Sequence, residues 1–265
     1  MHPVLFEIFG WPVYSYGVLL AAAYLAGLQL AVVRARRAGL DATRVMDLGI
    51  YLIISALLGA KLLLLVVDFS YFKDHPRELF SLVRAGGVFY GGLIAAFIVG
   101  LLLVRRYKLP VWQTGDLIAP GIALGHVVGR IGCLMAGCCY GKPTTVPWAI
   151  TFTDPAASIN VGTPLGLPLH PTQLYDAGAE LIILVILLAT ERRWRPYAGR
   201  TFWLYMLLYA VSRFTIEFFR GDERGVVFGS LSTSQFVSVL ILPISLLMLL
   251  RLRMTAHVAP TPRRA

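Results

Sequence analysis

The sequence predicts an all-α integral membrane protein: a bundle of seven transmembrane helices, N-terminus outside and C-terminus in the cytoplasm. Three observations carry that expectation. Of 265 residues, 57% are hydrophobic and only 14% are charged, far less charge than the surface of a soluble domain carries. Apolar runs of helix-spanning length recur along the chain. The Lys and Arg residues fall in short segments between those runs, and they favour alternate segments.

In chain order, Met1–Tyr14 lacks a basic leader and carries Glu7, so no cleavable signal peptide is expected and the first apolar run should stay in the membrane. Spans are expected at about Tyr16–Val33, Asp47–Val67, Gly86–Val104, Asp116–Met135, Ala177–Thr190, Thr201–Phe219 and Gln235–Leu250. The fifth falls short of the roughly 20 residues that a bilayer asks of a helix. An odd number of spans places the termini on opposite sides. One side receives Arg34, Arg36, Arg37 and Arg44, then Arg105, Arg106 and Lys108, then Arg192, Arg193, Arg195 and Arg200, and finally Arg251, Arg253, Arg263 and Arg264. These fifteen cations stand against six on the other side, so the C-terminus is assigned to the cytoplasm of a bacterial inner membrane. The longest loop, 136–176, is then external, and the basic tail 254–265 is expected to be disordered. No internal repeat divides the chain, which reads as a single membrane-embedded domain over 1–265. The net charge of +10 is spread among these loops, which suits contact with membrane lipids and leaves no basic domain for nucleic acid.

Lys61, Arg130, Arg213 and Glu217 fall within or at the edges of spans, beside His126. Each costs at least ~2.5 kcal/mol at mid-bilayer, so each should face the bundle interior or a wet cavity. Arg213 and Glu217 are four apart on one helical face and compensate each other, the plainer reading being a tie between helices. Arg130 has no acid near it in sequence. It sits in Gly129-Arg130-Ile131-Gly132, whose small residues admit a ligand, and its planar fork suits a phosphate. Phe89-Tyr90-Gly91-Gly92 in the third span permits close helix contact or a ligand groove; Tyr90 is either a proton donor or relay there or an amphipathic filler.

The three cysteines, Cys133, Cys138 and Cys139, lie within seven residues. Without a paired C-x2-C they do not read as a finger-like metal site, and no metal is expected. Packing as small hydrophobes is the plainest reading. A bridge from Cys133 to one of the other two, or a thiolate activated by Arg130, are the alternatives.

With these segments placed, the chain resembles the prolipoprotein diacylglyceryl transferases. The resemblance rests on Gly129-Arg130-Ile131-Gly132 running into Gly137-Cys138-Cys139-Tyr140-Gly141, on Asp116 and Pro120 before it, and on His170-Pro171-Thr172-Gln173-Leu174-Tyr175 after the long loop. Arg213-Phe214, then Glu217-Phe218-Phe219-Arg220-Gly221-Asp222, and Gly59-Ala60-Lys61-Leu62 extend it from about Tyr16 to Leu250. The resemblance implies transfer of the diacylglyceryl group of phosphatidylglycerol to the lipobox cysteine in the signal peptide of a preprolipoprotein. A thioether forms, glycerol phosphate leaves at the outer leaflet, and no metal or soluble cofactor takes part. Arg130 would bind the lipid phosphate and Arg220 would stabilise departing charge, with Gly91, Gly92, Gly129, Gly132, Gly141, Gln173, Tyr175, Arg213 and Glu217 shaping the substrate site. The chain departs from the family at Tyr90, where a histidine is common, and at Cys133, Ala136 and Cys138, where Asn, Asn and Glu are usual. The proton acceptor is therefore open among Tyr90, His170 and Cys138, or the thiol deprotonates before attack. Two other functions remain in view: a related membrane transferase with another acceptor and a cysteine as covalent carrier, and a lipid-binding protein without turnover.

Overall fold

The computed structural model describes residues 2–76, 87–193, 197–222, 225–227, 229 and 231–258. It is all-helical apart from short strand pairs. A hairpin of β1 (Val4–Ile8) and β2 (Trp11–Tyr14) turns through Phe9 and Gly10, both at positive φ. It leads straight into α1 (Ser15–Arg37), followed by α2 (Ala42–Val67), the short α3 (Phe69–Asp74), α4 (Phe89–Arg106) and α5 (Val111–Ala136). The long connection holds β3 (Ile150–Thr151), α6 (Pro155–Val161) and β4 (Pro168–Leu169), with β3 antiparallel to β4. Then come α7 (Thr172–Arg193), α8 (Arg200–Glu217), the paired β5 (Val226–Val227) and β6 (Leu231–Ser232), and α9 (Thr233–Val258).

Six helices, α1, α2, α4, α5, α7 and α9, are long and apolar enough to cross a membrane. Their outward residues agree: Leu58, Leu62, Val66 and Val67 on α2 and Leu93 and Phe97 on α4 are all exposed, as lipid-facing side chains are. The sixth expected span is α8, which has the length but carries Arg200, Arg213 and Glu217 in its 18 residues. The fifth expected span is longer than its apolar core. It is α7, with 22 residues, because Thr172, Gln173, Asp176 and Glu180 are buried against protein. The expected disorder from residue 254 is corrected as far as Val258, where α9 ends. Arg251 and Arg253 near that end favour the helix, since cations offset the negative pole of its dipole. Residues 259–265 lie outside the described residues.

The described chain divides into two compact units, one of Met1–Leu30 with Gly115–Ala265, the other of Ala31–Thr114. In the second unit, α2 and α4 run antiparallel along small residues. A Cβ on Gly59 would lie 2.5 Å from Gly91 O, and one on Gly92 would lie 2.8 Å from Ala56 O, so only bare backbone fits. Asp41 caps α2, accepting from Thr43 N and Arg44 N at 3.0 and 3.2 Å.

In the first unit, α1 packs on α5 in the same manner, with a Cβ on Gly27 falling 2.6 Å from Gly121 O. Ala119 and Ala123 of α5 form a core with Ile183, Leu184 and Leu187 of α7 and Tyr205 of α8. Asp116 tells why an acid sits at the start of α5: its carboxylate accepts from Gly199 N at 2.7 Å and Phe202 N at 2.9 Å. It thereby caps α8, whose first amides have no intrahelical acceptor. Ser232 and Gln235 cap α9 reciprocally, each side chain accepting from the other's amide, at 3.2 and 3.1 Å, the arrangement of a capping box.

Candidate active site

The site of the first unit is built on helical periodicity. His126 and Arg130 are four apart on α5, as are Asp176 and Glu180 on α7, and the two helices run in opposite directions. Glu180 Oε1 lies 2.7 Å from His126 Nδ1, and Asp176 Oδ2 lies 3.2 Å from Arg130 Nε. These are two rungs of one polar ladder. α8 adds a stripe at the same four-residue interval: Tyr205, Tyr209, Arg213 and Glu217. Tyr205 Oη is 3.3 Å from His126 Nδ1 and its ring stacks on Tyr209, while Arg213 pairs with Glu217 and donates to Ser234 Oγ at 3.1 Å.

Asp176 is the hub. Besides Arg130 it faces Arg213 Nη1 at 3.8 Å and Arg220 Nη1 at 3.4 Å. The sequence expectation that Arg130 stands without an acid is thus corrected: its partner comes from the next long helix, and an isolated guanidinium there would be costly. That contact is made through Nε, 3.2 Å from Asp176 Oδ2. Arg220, by contrast, is held at both edges. Nε and Nη2 each donate to Asp222 at 2.9 Å, and its side chain is only 2% exposed. Burial works against the Arg220 charge, but hydrogen bonds to Asp222 and to the Cys139 sulfur raise its pKa further above the ordinary value.

A three-way backbone clamp carries Arg220 to this place. Gly141 N donates to His170 O at 3.1 Å, His170 N to Lys142 O at 3.0 Å, Lys142 N to Phe219 O at 2.8 Å and Gly221 N to Tyr140 O at 3.1 Å. The strands approach so closely that a Cβ on Gly221 would lie 2.6 Å from Gly141 O, and one on Gly141 would strike His170 O and Phe219 O. The glycines of these motifs are therefore demanded by backbone contact. Side chains lock the same loop: Thr172 Oγ1 donates to Cys139 O, Gln173 Nε2 to Cys138 O, both at 2.7 Å, and Thr163 Oγ1 to Gly137 O at 2.9 Å.

The other expected site residues divide between the units. Cys138, His170, Gln173 and Tyr175 gather in the first. Gln173 is fully buried and its Oε1 has no hydrogen-bond partner among the described residues. The Tyr175 hydroxyl accepts from Trp148 Nε1 at 2.7 Å and lies 3.2 Å from His170 Nδ1, and the His170 ring meets Phe219 edge-on. Gly132 packs on Leu19 and Tyr16, whereas nothing lies within 4 Å of a Cβ placed on Gly129. Tyr90, Gly91 and Gly92 belong to the second unit, where both glycines are used in the α2–α4 contact and Tyr90 packs edge-on to Phe89. None of the three cysteines forms a disulfide among the described residues.

Sequence reasoning missed Asp176, Glu180, Tyr205, Tyr209 and Asp222. The signal was present: carboxylates spaced four apart in one span answer a histidine and an arginine spaced four apart in another.

Comparison with known proteins decides the family. The sequence model described as prolipoprotein diacylglyceryl transferase matches residues 3–251. The chain belongs to the prolipoprotein diacylglyceryl transferase family. It is 39% identical to a phosphatidylglycerol–prolipoprotein diacylglyceryl transferase of Clostridium tetani, over 90% of this chain and 93% of that one. It is 37% identical to a second enzyme of that name in Clostridium perfringens, covering 91% and 92%, and 34% identical to one of Geobacter sulfurreducens, covering 89% of each.

Proposed function

We propose that the chain transfers the diacylglyceryl group of phosphatidylglycerol to the lipobox cysteine of a preprolipoprotein, releasing glycerol phosphate. The observation that carries this reading is the convergence of Arg130, Arg213 and Arg220 on the single carboxylate of Asp176, three guanidinium groups gathered where a phosphate can be held. The cluster is balanced in formal charge, three arginines against Asp176, Glu217 and Asp222, so it waits in the membrane at tolerable cost. An incoming phosphodiester adds the negative charge that Arg130 is shaped to grip with two donors.

In the transfer the acceptor sulfur attacks a glycerol carbon, the carbon–oxygen bond breaks, and the phosphate leaves with the bonding pair. Arg130 holds that phosphate. Arg220, fixed by Asp222, supplies positive potential without moving, the kind of prearranged stabilisation that contributes most in a water-poor site. Gln173 Oε1 offers a buried acceptor to a glycerol hydroxyl or a peptide amide. α8 serves as the seventh span, the N-terminus lies outside the inner membrane, and the 136–176 connection meets the signal peptide.

The test is mass spectrometry of a lipobox peptide incubated with the purified protein and phosphatidylglycerol, with Arg130→Ala alongside. A diacylglyceryl increment on the cysteine that the variant loses is the expected result. A folded, lipid-binding protein that leaves the peptide unmodified would end this reading.

A further inference from the structure

The cysteines are the polar cluster of the site to which the transfer gives no task. Cys133 lies in the last turn of α5, and Cys138 and Cys139 follow the turn at Gly137. Their three sulfurs lie within 4.8 Å of one another. The chain accepts strain to place them: Cys139 has φ +62, a left-handed conformation that residues with a Cβ adopt rarely and at a cost. The hydrogen bonds of Thr172 and Gln173 to the Cys139 and Cys138 carbonyls hold that geometry.

Sequence spacing argues against a finger-like zinc site, but such sites close all four positions with protein. Three convergent sulfurs are another case. Zinc–sulfur bonds of about 2.3 Å at tetrahedral angles put ligand sulfurs about 3.8 Å apart, so an ion would draw this cluster in by about 1 Å or less. Three thiolates around a divalent cation carry one net negative charge, and the neighbours that meet it are two arginines.

We propose that Cys133, Cys138 and Cys139 hold one soft divalent cation of the Zn2+ class, whose fourth position takes the thiol of the acceptor cysteine. This inference rests on the transferase reading above. Three protein ligands with one open position are the mark of a catalytic zinc site, and a thiol that coordinates such an ion is deprotonated outright. Coordination of this kind lets the acceptor thiol ionise without a dedicated protein base, the role that the departure at Tyr90 leaves open. On binding, the acceptor S–H bond breaks and its proton goes to solvent. The sulfur then forms a bond to the glycerol carbon as the carbon–oxygen pair departs with the phosphate. The cation is neither oxidised nor reduced.

The experiment uses the full-length protein in detergent, reduced, stripped with a chelator and titrated with Co2+ as spectroscopic probe. The expected result is a sulfur-to-cobalt charge-transfer band that saturates at one ion per chain. Cys133→Ala and Cys138→Ser, each checked for folding by thermal unfolding, should weaken binding at least as much as the roughly tenfold to hundredfold lost when groups that merely support metal ligands are removed. A lipobox peptide should intensify the band while its Cys→Ser version leaves it unchanged, and stripped protein should lose transfer until Zn2+ is returned. Absence of the band, with stripped protein still transferring lipid, overturns the metal site and leaves the transferase reading standing. A disulfide formed from Cys133 in a protein that binds no Co2+ when reduced likewise overturns it. A cobalt band that responds to the peptide, with no transfer under any metal condition, sinks the transferase reading instead.

Discussion

Two antiparallel helix pairs, α2 with α4 in one unit and α5 with α7 in the other, are joined by opposite means. Along α2 and α4 the contact is backbone on backbone at Gly59, Gly91 and Gly92. Along α5 and α7 it is polar side chain on polar side chain, His126 with Glu180 and Arg130 with Asp176. In lipid there is no hydrophobic gain from pressing two apolar helices together, so a pair is held by close packing or by polar contacts. The chain uses the first where it needs only a scaffold and the second where it needs charge at membrane depth. The polar pair costs more to assemble, and it alone leaves donors available to a ligand.

Breaking the polar pair should show the largest effect. Asp176→Ala removes the shared counterion of three buried arginines, and loss of one partner of a buried pair costs about 3–5 kcal/mol. Thermal unfolding of the purified protein should shift down accordingly and lipid transfer should vanish; an unchanged unfolding temperature would show that the ladder does not bind α5 to α7. Breaking the packed pair should cost less. In Gly59→Val the added carbons meet Gly91 O and the Ala95 methyl, and overpacking of this kind costs about 1–3 kcal/mol. If the same unfolding assay detects no loss, close approach is not what joins α2 to α4. The smallest effect belongs to the loop lock: Thr172→Val deletes one hydrogen bond to Cys139 O, worth about 1 kcal/mol. Its signature is faster proteolysis of the 137–143 loop with little change in overall unfolding, and equal proteolysis of both proteins would remove Thr172 from that role.

The same contrast explains what the sequence made legible. Apolar runs locate α1, α2, α4, α5 and α8 to within a few residues, and the start of α9 as well, because lipid-facing positions must be apolar whatever they pack against; α9 runs on past Leu250 to Val258. The run behind α7 was cut short at its start, since Thr172, Gln173 and Asp176 are polar residues turned toward protein. The individual cations were also legible, because a charge in an apolar run is conspicuous. Their pairing was not: Asp176 lay at the edge of what read as a loop, and nothing local ties it to Arg130. Nor does the sequence reveal the clamp of Gly141, His170 and Phe219, which joins three segments remote in the chain, or the left-handed turn at Cys139. The glycines in those motifs were visible, but their reason is a backbone contact that exists only once the chain is folded.

The cap that Asp116 places on α8 bears on how the chain is made. α8 carries Arg213 and Glu217, and the Gly199 and Phe202 amides at its start are satisfied by Asp116 of α5. By itself it is a poor candidate for release from the insertion machinery into lipid. Synthesis runs in the favourable direction, with Asp116 and Arg130 arriving first, Asp176 and Glu180 next, and the charged stripe of α8 last. The carboxylates of α7 thus emerge after the His126 and Arg130 that they face, and Arg213 of α8 emerges after Asp176, so α8 arrives as the third member of an assembling trio.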